Sequence, residues 1–143
     1  MSMTSRVNSL VSDLTKSDNW EERYKYIIQK GKTLAPLPEE YRLDQNKVKG
    51  CQSQVWLYAT LEEGKVSYYV DSDAIIVKGI LSLLMAVYND ATPEEILSTQ
   101  PDFIDTIGLK QHLSPSRANG LSFVLKHISL YALAYKEKMK KEA

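Results

Sequence analysis

Between Lys47 and Asp71 the apolar residues change their period, and this change restricts the possible folds more than any other feature of the chain. Val55, Leu57, Ala59 and Leu61 alternate with Gln54, Trp56, Tyr58 and Thr60. Alternation of this kind marks a strand with one buried face and, here, one partly apolar face. Glu62 to Lys65 contains Gly64 and reads as a turn, and Val66 to Val70 is the returning strand. A shorter strand at Lys47 to Lys49 is expected to pair on the other side. Gly50-Cys51-Gln52-Ser53 is then the reversal between two strands, at an edge of a small antiparallel three-stranded sheet.

On both sides of this stretch the period is helical. Asn19 with Glu22 three positions later fits a capping box. Trp20, Tyr24, Ile27, Ile28 and Gly31 follow on one face, with Gly31 as the stop. Pro36-Leu37-Pro38 breaks any helix and begins an irregular connection. After the strands, Ser72 or Asp73 can cap a helix to about Tyr88, apolar around most of its circumference and hence central. Thr92-Pro93-Glu94-Glu95 opens another helix, and Pro101 to Ile107, closed by Gly108, is a further short one. Ser114-Pro115 starts the last and longest helix, striped by Ala118, Leu121, Leu125, Ile128, Ala132 and Tyr135. The order predicts an α+β fold in one domain, residues 1–143, with helices packed on one sheet face.

Composition narrows the function. Lys and Arg together number 18, as do Asp and Glu, so the chain lacks the basic excess expected of a nucleic-acid-binding protein. The most apolar segment, Ala74 to Tyr88, is interrupted by Lys78, Gly79 and Ser82 and is too short to span a bilayer. Met1 to Lys16 is polar and lacks the apolar core of a secretory signal. One Cys allows no intrachain disulfide, and the expectation is a cytoplasmic protein.

Cys51 is the only soft nucleophile. A lone cysteine ordinarily behaves as a small buried hydrophobe, but Gly50, Gln52, Ser53 and Gln54 around it are small or polar, which is not a core strand. Gly50 lets the backbone turn and leaves the thiol sterically open, while Lys47 and Lys49 are near enough in sequence to stabilise a thiolate. No His adjoins Cys51; a dyad with His112 or His127 would have to form in space, and a cysteine hydrolase remains an alternative on that condition. Four-ligand zinc is disfavoured by one Cys and two separated His. Asp71-Ser72-Asp73 suggests a cation site less strongly than a strand exit followed by helix capping. Arg117, a cation in a first helical turn, opposes the helix dipole and invites an anion.

The run Lys47-Val48-Lys49-Gly50-Cys51-Gln52-Ser53-Gln54-Val55-Trp56-Leu57 closely resembles the SufE family of sulfur acceptors. Other matches occur in the right order: Asn19 to Tyr24, Asp71 to Ala74 with Val77-Lys78-Gly79, and Gln111 to Arg117 with Gly120-Leu121. The resemblance covers about residues 15 to 135, and Gln52-Ser53 sits nearer the SufE pattern than the CsdE branch. It implies a protein that binds a pyridoxal-phosphate (PLP) cysteine desulfurase, takes persulfide sulfur from it, stimulates its turnover and passes sulfur to an iron–sulfur scaffold. The implied fold is similar to that of the IscU scaffold, without its three cysteines. No metal or resident cofactor is implied, PLP belonging to the partner. Cys51 matches the acceptor cysteine. Gly50, Gln52 and Ser53 match the loop around it, and Asp73 and Arg117 match polar positions near the loop or docking surface. Such a protein is an activator subunit rather than a stand-alone enzyme, with homodimerisation left open. A docking module that regulates a desulfurase without carrying sulfur is the second alternative. Because a persulfide in solvent would be lost to reductants, Cys51 is expected to shelter beneath apolar side chains until docking everts its loop.

Overall fold

The computed structural model describes residues 2–142; Met1 and Ala143 lie outside the described residues. Two helices, α1 (Met3–Leu14) and α2 (Trp20–Gly31), come first. Asn19 caps α2, its side-chain oxygen accepting from the N–H groups of Glu21 (2.8 Å) and Glu22 (3.4 Å). Only this half of the expected capping box forms, because the Asn19 N–H donates to Ser17 Oγ instead. Short 3₁₀ turns at Glu39–Tyr41 and Asp44–Asn46 lead into strands β1 (Val55–Glu62) and β2 (Lys65–Ser72). Glu63 and Gly64 both have positive φ, the two-residue turn whose twist suits a hairpin. Pairing runs from Glu62 opposite Lys65 to Val55 opposite Ser72 without a bulge.

The sheet has two strands, not the three expected. Lys47 makes one isolated bridge to Trp56, and the Val48 N–H donates to Val55 O at 2.8 Å. Pairing cannot extend further, since a 3₁₀ turn ends at Asn46 and Gly50 turns the chain at φ +93°. The reversal at Gly50–Ser53 therefore exists as expected, but between a bridge and a strand.

Four helices follow the hairpin before the last: α3 (Ile75–Tyr88), α4 (Pro93–Ser98), α5 (Asp102–Ile107) and α6 (Leu109–His112). The expected Thr92–Glu95 capping box is complete at α4, and Gly108 ends α5 at φ +89°. Helix α7 (Pro115–Glu142) closes the chain, its buried stripe running through Gly120, Leu121, Val124, Ile128 and Ala132. Helix α3 is the centre of the core, as its apolar circumference requires; Ile76, Ile80, Leu81, Leu83, Leu84 and Val87 are all buried. Tyr68 of β2 donates to Ile128 O and Tyr135 to Ala59 O, both at 2.7 Å, so α7 is pinned to the hairpin by two phenol groups.

The outward residues of the hairpin are covered by the irregular connection. Tyr41 stacks on Tyr58 with ring centroids 4.3 Å apart, and the Arg42 guanidinium lies 4.7 Å above the Trp56 ring while binding Asp71 at 2.6 Å. Trp56 is buried for this reason, although its position in the alternation faces away from the helices.

Helices α2 and α3 touch backbone to backbone. A Cβ on Gly79 would stand 2.4 Å from Ile27 O, and one on Gly31 would stand 2.7 Å from Gly79 N. Gly31, the last residue of α2, is thus a glycine because the crossing leaves no room for a side chain, and it is not the left-handed stop expected. Gly79→Ala is expected to force the helices apart at a net cost of about 2 kcal/mol, lowering the melting temperature by roughly 6 °C. A thermal melt equal to or above the parent, as alanine's better helix propensity alone would give, would refute this packing.

Candidate functional site

The reversal after Lys47 presents Gly50 and Gln52 to solvent and turns Cys51 inward, where it is half-buried. Gly120 of α7 makes room for it: a Cβ there would lie 3.3 Å from the sulfur. The Cys51 thiol donates to Gly120 O at 3.6 Å, a weak bond of the kind thiols make. Beside the sulfur is a cavity offering about 30 Å³ to a water-sized body, walled by Val55, Val77, Ile80, Leu81, Leu121 and Val124. Cys51, Gln52, Ser53, Ser116 and Arg117 complete its lining.

The far end of the loop is tied down by backbone bonds to Gln54. Its N–H donates to Asp73 Oδ1 at 3.0 Å, and its carbonyl accepts from Ser72 Oγ at 2.8 Å and from the Asp73 N–H at 3.3 Å. Ser72 and Asp73 were expected to cap α3. Instead Ala74 stands at the N-cap with no side-chain bond, because both candidate caps are turned to Gln54. Ser72 Oγ retains one local bond, from the Ala74 N–H.

Asp71 is no cation ligand. Its carboxylate accepts from Arg42 and lies 3.6 Å from Lys78. Burial would raise its pKa, but the Arg42 bond, the Ser72 N–H and Lys78 outweigh burial and hold the carboxyl below its ordinary range. No cluster of three or more His, Cys, Asp or Glu among the described residues is arranged for a metal.

Electrostatics at the thiol run against the expectation of a stabilised thiolate. Burial pushes the Cys51 thiol up, and no neighbouring cation counters it. Lys47 is 3.1 Å from Asp44 and sits over the Trp56 ring, while Lys49 is exposed. Neither histidine forms a dyad. His112 stacks on Trp20 at 4.0 Å with Nδ1 on Gly108 O, and His127 Nδ1 is 2.8 Å from Phe123 O within its own helix.

Of the residues singled out in the sequence, Cys51, Gln52, Ser53 and Arg117 share one pocket; Gly50, in the turn before Cys51, is not part of its lining, and Asp73 holds the loop's end outside it. Arg117 is exposed, and Ser114 Oγ caps its backbone N–H at 3.3 Å. Sequence reasoning passed over Phe123 and the structural use of Gly120. A glycine inside a long helix costs about 1 kcal/mol relative to alanine, so Gly120 carried a signal of close approach.

The raised thiol pKa has a defined sign. The native state favours the protonated form, so its contribution to stability is full below the pKa of an unfolded-chain thiol and is lost as pH rises beyond it. Alkylation of native Cys51 by iodoacetamide is expected to rise with pH around a midpoint above that of the urea-unfolded chain, near 8.5. A native midpoint at or below the unfolded one would contradict the sheltered thiol.

Comparison with known proteins agrees with this architecture. A profile of the SufE family, described as an Fe–S metabolism associated domain, matches residues 8–132. An uncharacterized SufE-like protein of Synechocystis is 46% identical over 115 residues, spanning 80% of this chain and 72% of that protein. The solution structure of a hypothetical protein from Thermus thermophilus superposes with a TM-score of 0.76 at 24% identity, covering 90% of this chain and 94% of the other, and speaks for the fold alone. No helix among the described residues is long and apolar enough to cross a membrane. With a family profile spanning most of the chain and a SufE-like relative at 46% identity, the protein belongs to the SufE family.

Proposed function

We propose that Cys51 accepts sulfane sulfur from the persulfide of a PLP-dependent cysteine desulfurase, and that the protein stimulates that enzyme and delivers the sulfur to iron–sulfur cluster assembly in the cytoplasm. The observation that carries this reading is the small apolar cavity beside the only thiol, about 30 Å³, beneath a loop anchored at its ends. A recess of that size has room for one further atom beside the thiol, and its largely apolar lining disfavours hydrophilic reductants.

The exchange balances without an added oxidant. Cys51 loses its proton, its thiolate attacks the outer sulfur of the donor's persulfide, the donor's inner S–S bond breaks, and the donor cysteine leaves as thiolate. Inside the pocket the thiol is held protonated, so attack requires the loop to turn outward first. The partner's binding energy drives that step, and the returning loop then buries the new sulfur. Gly50 supplies the turn, Gln52 and Ser53 move with the cysteine, Asp73 fixes the hinge at Gln54, and Arg117 faces the pocket as the cation nearest an arriving anionic sulfur. One cysteine cannot build a cluster as a three-cysteine scaffold does, so the role is transfer. PLP remains in the partner, and this chain uses no resident cofactor. The protein acts as an activator subunit.

Incubation with a cysteine desulfurase, PLP and cysteine is expected to add the mass of one sulfur atom at Cys51, removable by dithiothreitol. Cys51→Ser is expected to abolish both that gain and the stimulation of the desulfurase. Undiminished stimulation by Cys51→Ser would favour the docking-only alternative and overturn the carrier role.

A further inference from the structure

The Cys51 loop is held at both ends but loosely between them. Lys47 and Val48 bond to β1, and Gln54 is fixed by Ser72 and Asp73. Among the described residues, no backbone hydrogen bond ties residues 49–53 to a strand or a helix. Besides the packing of Cys51 on the core, two contacts from α7 keep them inward. One contact is the weak bond from the Cys51 thiol to Gly120 O. The other is made by Phe123, three residues further on and so on the same helix face. Gly50 lies close against one edge of its ring: an added Cβ would stand 2.5 Å from Cε2 and 2.6 Å from Cδ2.

Phe123 is 40% exposed and does not belong to the hydrophobic core. Its ring therefore contributes little to holding the helices together, yet it packs against one side of the loop residue whose φ of +93° sets the direction of Cys51. We propose that Phe123 is a positioning residue, a latch whose ring holds Gly50 and so keeps Cys51 in its pocket; how readily the latch releases sets how often the thiol faces a sulfur donor. The purpose of the latch rests on the sulfur-acceptor reading, whereas the closed state it maintains does not.

Alkylation of Cys51 by iodoacetamide at neutral pH reads the open population directly, without any desulfurase. Phe123→Ala is expected to speed it about tenfold and to move the midpoint of its pH profile down toward that of an unfolded-chain thiol, with the melting temperature within about 3 °C of the parent. Phe123→Tyr, which keeps the ring, is expected to retain the parental rate and profile. A Phe123→Ala rate within twofold of the parent, or Phe123→Tyr as fast as Phe123→Ala, would overturn the latch. If Phe123→Ala melts well below the parent, Phe123→Leu, which keeps bulk but not the flat ring, decides: faster alkylation at an unchanged melt supports the latch and a parental rate refutes it. Failure of the desulfurase to load Cys51 would sink the carrier role and leave these rates untouched, so the two claims fail separately.

Discussion

The register of the hairpin is the constraint on which the site depends. The Glu63-Gly64 turn sets Glu62 against Lys65, and every later pair follows, ending with Val55 opposite Ser72. A slip of one residue would send Val66, Tyr68 and Val70 outward and break the Tyr68 bond to α7. It would also take Ser72 and Asp73 away from Gln54. The cysteine loop is thus an extension of the ladder, aligned by side chains once the strands can no longer pair.

Missing side chains govern the rest of the packing. Gly31 and Gly79 let α2 and α3 approach backbone to backbone, which fixes α3 as the central helix. Gly120 does the same for the loop against α7, and Gly50 lets that loop lie against an aromatic ring. One of these contacts joins two helices, and the other two join the loop to α7. Helix against helix is locked by surrounding core residues such as Ile27 and Ile80, whereas the loop meets α7 through the half-buried Cys51, with its weak thiol bond, and through a partly exposed ring. The same device serves close helix packing in one place and, on the proposed function, a reversible closure in the other.

The thiol environment follows from that closure. Sheltering the sulfur in an apolar cavity disfavours its charged form, and Lys47, committed to Asp44 and Trp56, does not offset the penalty. On the proposed function, protection and reactivity are alternatives for Cys51, separated by the position of a five-residue segment. Arg42 and Asp71 occupy the outward side of the same hairpin and brace Trp56, two residues beyond Gln54, so the chain is firmly held from there on.

Local chemistry settled a good part of this in advance. The Thr92–Glu95 box, the Gly108 stop and the hairpin turn are properties of neighbouring residues, and they appear in the structure as read; of the expected α7 stripe, Leu121, Ile128 and Ala132 are buried, whereas Ala118, Leu125 and Tyr135 are half-buried. The misreadings share one cause. Ser72 and Asp73 have the right chemistry for caps and are used instead by Gln54, eighteen or more positions away; Lys47 has the right charge for a thiolate and is taken by Asp44 and Trp56; the third strand has the right residues but too little straight chain. A polar group's partner is decided by competition in three dimensions, and proximity along the chain does not reveal the winner. The sequence by itself determined most of the elements, their order and the place of the lone thiol in a chain reversal. Tertiary structure alone decided that Gly120 lies against that thiol and Phe123 against Gly50, because a contact across some seventy residues leaves no periodic trace in the chain that makes it.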